Sequence, residues 1–200
     1  HALNEPALSL SALAAAVRHD LAGEILQFDK PAYFVPGNHD VGYSETSVYR
    51  PHFEKRWGPV NRAFEPAAGL RFVLFDSQPL DPRASSKDRE EAFSRLEQML
   101  SPAKPTIVFC HVTGIAPFYI NRLHEGWPED LMARWTDILK DGGVLAVLGG
   151  HEHRDEHYRI NGVSFHIAGP VINFWGRQTG YRIWQVENGQ LAYRTVYLEI

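Results

Sequence analysis

One cysteine, Cys110, in 200 residues excludes an internal disulfide framework, and no Cys-rich spacing of the kind that builds a zinc module occurs. Apolar runs are short. The longest, such as residues 143–148, fall far below the ~20 residues needed to cross a bilayer, so no membrane span is expected. No basic segment followed by an apolar one opens the chain. Positive charge is in deficit: 20 Lys and Arg against 24 Asp and Glu leave a net charge of −4, which offers extended nucleic acid no basic field. Two catalytic signatures are missing as well. There is no nucleophile elbow with Ser-His-Asp partners, and no Gly-rich loop ending in Gly-Lys-Ser/Thr.

What is present is an ordinary globular composition, 44% hydrophobic and 22% charged, in a length that suits a single domain over residues 1–200. Apolar positions Leu10, Leu13, Val17, Leu21 and Ile25 recur at helical steps and predict a helix over residues 6–28. Residues 32–35 read as a short strand halted by Pro36-Gly37, and residues 47–57 as weakly helical. Strands are expected over residues 70–75, 106–110 and 143–148, and helices over 91–100 and 129–140. Residues 78–87 read as a polar loop, and 113–127 as an irregular loop over a site. After His153 short alternating runs at 158–160, 163–167, 181–186 and 191–198 are separated by Asn161-Gly162 and Asn188-Gly189, a strong hairpin signal. Helix and strand thus alternate through most of the chain, which is the pattern of an α/β fold.

Ten histidines are more than usual, and their placement matters more than their number. Three expected strands end alike: Val35 runs into Gly37-Asn38-His39-Asp40, Cys110 into His111, and Leu148 into Gly149-Gly150-His151-Glu152-His153. In an α/β sheet ligands collect at the carboxyl ends of strands, so these three clusters would face one crevice. Glycine permits the tight turn or positive φ that such a close approach needs. Neutral imidazole with an amide oxygen suits Mn, Fe or Zn better than a thiolate-selected metal. If His151 and His153 continue a strand, the i, i+2 spacing puts them on one face, where they can serve one cavity or two adjacent ions. Alone, His111 is more often a hydrogen-bonded core residue and Gly37-Asn38-His39-Asp40 more often a turn, and only Gly150-His151-Glu152-His153 is evenly balanced; the three together point to a metal site.

On Gly37-Asn38-His39-Asp40, His111 and Gly150-His151-Glu152-His153 the chain resembles the calcineurin-like metallophosphoesterase superfamily. Trp57-Gly58-Pro59, the strand 71–77 and the helix 89–100 carry the resemblance beyond the ligands, over essentially the whole chain. It implies a four-layer α/β/β/α sandwich of two mixed sheets, and hydrolysis of phosphomonoesters or phosphodiesters at a dinuclear centre of Mn, Fe or Zn. By that resemblance Asn38, His111 and His151 bind one ion, His153 binds the other, and His39 stands beside the leaving group. The implied partner is a small phosphorylated substrate, with oligomeric state open and the cytoplasm as the first expectation for location.

The family pattern also has an Asp-x-His and a Gly-Asp-x-x-Asp ahead of these motifs, and neither occurs here; Asp20 and Asp29 lack the context. The expectation is that an upstream segment supplies them, that one sheet here lacks central strands, and that this chain binds one ion weakly and hydrolyses little. The alternative is a phosphoesterase fold kept as a non-catalytic binding scaffold. Several further residues have two readings. Arg154 is a phosphate contact or a solvated charge; Phe118, Tyr119, His124 and Trp127 line the mouth or pack locally. His157, His166, Phe174, Trp175 and Trp184 read as structural, and Asp76 and Ser77 as a strand-end turn.

Overall fold

The computed structural model describes residues 31–101, 104–115, 126–172, 178–187 and 190–198. The chain divides into two compact units, residues 1–34 and 35–200, and the sheets with their helices belong to the second. The helix expected over residues 6–28 lies outside the described residues.

A six-stranded sheet carries the second unit, in the order β1 (Arg62–Ala67), β2 (Leu70–Leu74), β3 (Thr106–Phe109), β4 (Val144–Gly149), β6 (Val163–Ile167), β5 (Glu156–Ile160). Pairs β2–β3, β3–β4 and β4–β6 are parallel, while the flanking pairs β1–β2 and β5–β6 are antiparallel. The result is the expected mixed α/β class with a parallel centre. Because the central strands are parallel, residues following β2, β3 and β4 emerge at one end of the sheet, which is where the candidate site lies.

Helices α1 (Asn38–Val41) and α2 (Arg50–Trp57) precede β1, while α3 (Ser86–Met99) connects β2 to β3 and α4 (Glu129–Asp141) connects β3 to β4. Leu131, Trp135 and Leu139 recur every four residues and bury one stripe of α4, while Ala92, Phe93 and Leu96 do the same for α3. Both stripes pack into the core with Val73, Phe75, Val108 and Val147 of the sheet region. Trp135 stacks on Phe75 with ring centroids 5.9 Å apart. Burying each such side chain contributes about 1.5–3 kcal/mol. Ser85 caps α3 by accepting from the Asp88 amide at 3.0 Å, which explains why this helix begins five residues before the apolar period becomes visible at residue 91.

β5 and β6 form the hairpin that Asn161-Gly162 predicts, with φ of 51° and 84° at its two central residues. This reversal lets β6 return beside β4. A second, two-stranded sheet, β7 (Gly180–Glu187) with β8 (Gln190–Tyr197), packs on the β5–β6 end: His166 meets Trp184 at 4.8 Å and Tyr193 at 5.1 Å between ring centroids. Trp184 therefore sits between the sheets, as expected. The Asn188-Gly189 turn and Phe174 and Trp175 lie outside the described residues.

Two expectations are corrected, and one strand was not expected. Residues 32–35 form no strand. Residues 62–67, whose Arg-Ala-Phe-Glu-Pro-Ala composition conceals a strand, form β1; it lies at the sheet edge, where Pro66 leaves no interior ladder position unpaired. The polar loop expected over residues 78–87 is confined to 81–85: a 3-10 turn over Gln78–Leu80 is fully buried, for a reason that the site makes plain, and α3 begins at Ser86.

Candidate metal centre at the strand ends

Gly37-Asn38-His39-Asp40 forms the start of α1, and each of its residues has a separate task. Gly37 provides space: an added Cβ there would lie 3.1 Å from Cδ2 and 3.2 Å from Nε2 of His111. Asp40 holds the turn, its Oδ2 accepting from the Gly37 amide at 2.8 Å. Asn38 Nδ2 donates to the Tyr43 hydroxyl at 3.2 Å, which leaves its Oδ1 to point elsewhere. His39 is exposed. Of the two residues with a free chemical function, one offers an oxygen and the other an imidazole at the surface.

His111 follows β3, and its carbonyl accepts from the Gly150 amide at 3.1 Å, so the ends of β3 and β4 are tied together. The His111 and His151 rings meet edge to face, centroids 5.2 Å apart. Gly149 is required by space too: a Cβ there would lie 2.2 Å from the Thr113 methyl. Neither Gly37, Gly149 nor Gly150 has the positive φ anticipated for them; that conformation falls instead on His151 (71°) and His153 (53°). Left-handed backbone at a residue with a side chain costs of order 1 kcal/mol, and such strain is retained where the surrounding structure demands it.

Since β4 ends at Gly149, the strand argument for His151 and His153 sharing one face does not apply. Among the described residues no group of three His, Cys, Asp or Glu side chains could hold one ion. His153 lines a cavity of about 260 Å³ bounded also by Glu156, Arg182 and Tyr197. Asn38, on the loop that His111 packs against, is thus the third donor available beside His111 and His151. Its Oδ1 is buried and has no hydrogen-bond partner among the described residues. Leaving such an atom unpaired costs about 1–3 kcal/mol, and one amide oxygen with two imidazoles is a donor set that a Mn, Fe or Zn ion accepts. The residues therefore fit one ion.

The flanking residues resolve mostly toward structure. Arg154 is not solvated; its Nη1 contacts Glu156 Oε1 at 3.4 Å. Trp127 is buried against Trp135, 6.0 Å between centroids, rather than lining a mouth. Phe118, Tyr119 and His124 lie outside the described residues. Glu152, between the two histidines, is buried, and burial with the nearby Glu156 charge pushes its carboxyl up to about 7.

Gln78 is the residue that sequence reasoning missed. Its Nε2 donates to the Pro36 carbonyl at 2.6 Å, directly ahead of Gly37 and Asn38. A polar run, Asp76-Ser77-Gln78, after β2 at the same end of the sheet as His111 and His151 was the available signal.

A parallel-centred sheet with metal-competent donors at its carboxyl end narrows the class of protein, and comparison with known proteins gives the family. The model of the calcineurin-like phosphoesterase family matches residues 10–155, most of the chain, and the chain belongs to that family. It is similar to the serine/threonine-protein phosphatase CPPED1 of Bos taurus, 28% identical over 183 residues that cover 86% of this chain and 57% of that protein. The CPPED1 of Danio rerio is 26% identical over 180 residues, 82% of this chain and 55% of that one. The chain thus spans just over half the length of these curated relatives. Among solved structures, a dimetal phosphatase from Danio rerio superposes with a TM-score of 0.58 at 14% identity, covering 94% of this chain and 79% of that one. That likeness is one of fold.

Proposed function

We propose that the protein carrying this chain hydrolyses phosphate esters with the help of bound metal at the β3–β4 strand ends. The observation that carries the reading is the buried Oδ1 of Asn38, without a hydrogen-bond partner among the described residues, next to the Gly37 that packs on His111, whose ring meets that of His151. Asn38, His111 and His151 would hold one ion; His153 would serve a second, completed by residues not among these. The ions would supply Lewis acidity for phosphoryl transfer.

The remaining chemistry belongs to the chain itself. His39, exposed and adjacent to Asn38, donates a proton to the departing oxygen. Asp40 cannot share that task, because its carboxylate is engaged with the Gly37 amide. The relatives' name makes a phosphoserine or phosphothreonine peptide the first substrate to try, beside small monoesters and diesters. Manganese is the first ion to try, ahead of iron and zinc.

The test joins Mn²⁺ titration of this chain to hydrolysis of p-nitrophenyl phosphate, bis(p-nitrophenyl) phosphate and a phosphoserine peptide by the natural protein that contains it. Uptake of Mn²⁺ that Asn38→Ala weakens, together with chelator-sensitive cleavage of at least one ester, is the expected result. A protein that takes up no metal and cleaves none of the three is a scaffold, and the reading is then wrong.

A further inference from the structure

Three consecutive polar residues, Asp76, Ser77 and Gln78, are completely buried where β2 runs out. Burying polar groups is unfavourable unless each finds a partner, so their bonds should show what they are for. Phe75 still pairs with β3, its amide donating to the Phe109 carbonyl at 2.8 Å, which fixes the backbone just ahead of them. Asp76 pairs with Arg50, accepts from the Gln78 amide at 3.1 Å, and has its own amide held by Asn61 Oδ1 at 2.9 Å. The run is therefore rigid.

From that anchor two side chains reach out to two loops. Ser77 Oγ donates to the Val112 carbonyl at 2.6 Å. Ser77 Oγ also lies 3.3 Å from Gln78 Oε1, but a hydroxyl has one proton, and the shorter bond takes it. Gln78 Nε2 donates to the Pro36 carbonyl at 2.6 Å. Val112 immediately follows His111, and Pro36 stands two residues before Asn38. Neither carbonyl accepts a backbone amide among the described residues, so these side-chain bonds satisfy both.

We infer that Ser77 and Gln78 are positioning residues: they hold the Asn38 turn and the His111 strand end in register, so that an amide oxygen and an imidazole from distant parts of the chain face one point. The inference rests on reading that crevice as the metal site. Partners that orient ligands are worth about 10–100-fold in metal affinity, although they never touch the ion. Ser77 and Gln78 act one step further out, on the backbone that carries the ligands. The lower end of that range is the effect to expect.

The experiment is Mn²⁺ titration followed by electron paramagnetic resonance, on this chain and on Gln78→Met, Ser77→Ala and Leu139→Ala, each checked for folding by circular dichroism and thermal melting. Methionine fills nearly the volume of glutamine without its donor; Leu139 is buried on α4 and is a partner in neither loop bond. Gln78→Met and Ser77→Ala should each weaken Mn²⁺ binding about tenfold. Leu139→Ala should lower the melting temperature and leave the affinity alone. Should Gln78→Met fail to fold, Ser77→Ala carries the test. A parent chain that takes up no Mn²⁺ overturns the site reading, and this inference with it. A parent that binds, with both variants binding as well, overturns the positioning role by itself, as does an equal loss in Leu139→Ala.

Discussion

His157 on β5 and His166 on β6 lie ring on ring, with centroids 4.1 Å apart and 4° between planes, and Trp184 and Tyr193 close over His166 from the second sheet. Burial, and then the charge of His157, pushes His166 down to about 4. The unfolded chain, with an ordinary imidazole near 6.5, takes up that proton first. This contribution to stability is complete above about pH 6.5 and is lost as pH falls toward about 4. Urea unfolding of the parent and of His166→Phe between about pH 7 and about pH 5 measures it, with a difference in slope approaching 1.4 kcal/mol per pH unit. Comparing the two proteins matters because Asp76 and Glu152, both pushed upward, oppose the trend in each. Parallel profiles would remove His166 as the source.

Arg50 and Asp76 form a buried ion pair at the foot of the site, and burial still pushes Asp76 up to about 6. Removing the cation alone leaves a carboxylate in the interior, so Arg50→Met should cost about 3–5 kcal/mol at neutral pH. Without Arg50 the carboxyl rises further. The variant should therefore recover part of its deficit on acidification, as a group whose folded pKa is raised favours folding when protonated. Urea midpoints at two pH values decide it; a deficit that grows on acidification contradicts the assignment.

Gly149 and Gly37 are both tight, with different consequences. A Cβ at Gly149 would drive into the Thr113 methyl and lie 3.4 Å from the Cys110 carbonyl oxygen, so Gly149→Ala should destabilise the fold by about 1–3 kcal/mol. At Gly37 the neighbours are the edge of the His111 ring and Asp40 Oδ2 at 3.3 Å, side-chain atoms that need give by only a few tenths of an ångström. Gly37→Ala should thus leave the melting temperature almost unchanged while weakening Mn²⁺ uptake, and melting curves with metal titrations on the two variants would separate the effects.

How far this architecture could be read in advance follows from where each signal resides. The α3 and α4 stripes, the strands β2, β3 and β4 and the Asn161-Gly162 hairpin depend on neighbours a few residues away, and the sequence displays those directly. β1 does not: an edge strand with one solvated face and Pro66 has no alternation to show. The burial of Gln78 depends on the Pro36 carbonyl, 42 residues earlier, and no local pattern carries such information. The Asn38 cluster follows a segment that only imitates a strand, whereas the His111 and His151 clusters were visible because polar residues after apolar runs mark the ends of β3 and β4. The turn at His151 and His153 was not, since local alternation imitates a strand that the backbone has already left.

His39 and His151 stand at the same end of the sheet and should fail differently when removed. His151 meets His111 edge to face and belongs to the cluster that would hold the ion, whereas His39 is exposed at the surface one residue beyond Asn38. His151→Ala deletes a donor, so metal content and hydrolysis should fall together. His39→Ala leaves Asn38, the Gly37–Asp40 bond and His111 in place; metal content should persist while the rate falls by about 10²–10⁴, the usual contribution of a positioned acid. The loss should be smaller for an ester whose leaving group departs without a proton, so p-nitrophenyl phosphate should suffer less than an alkyl phosphate. Metal analysis beside the rates for both esters separates the roles, and equal metal loss in the two variants would mean that His39 is a ligand and that the assignment of the acid is wrong.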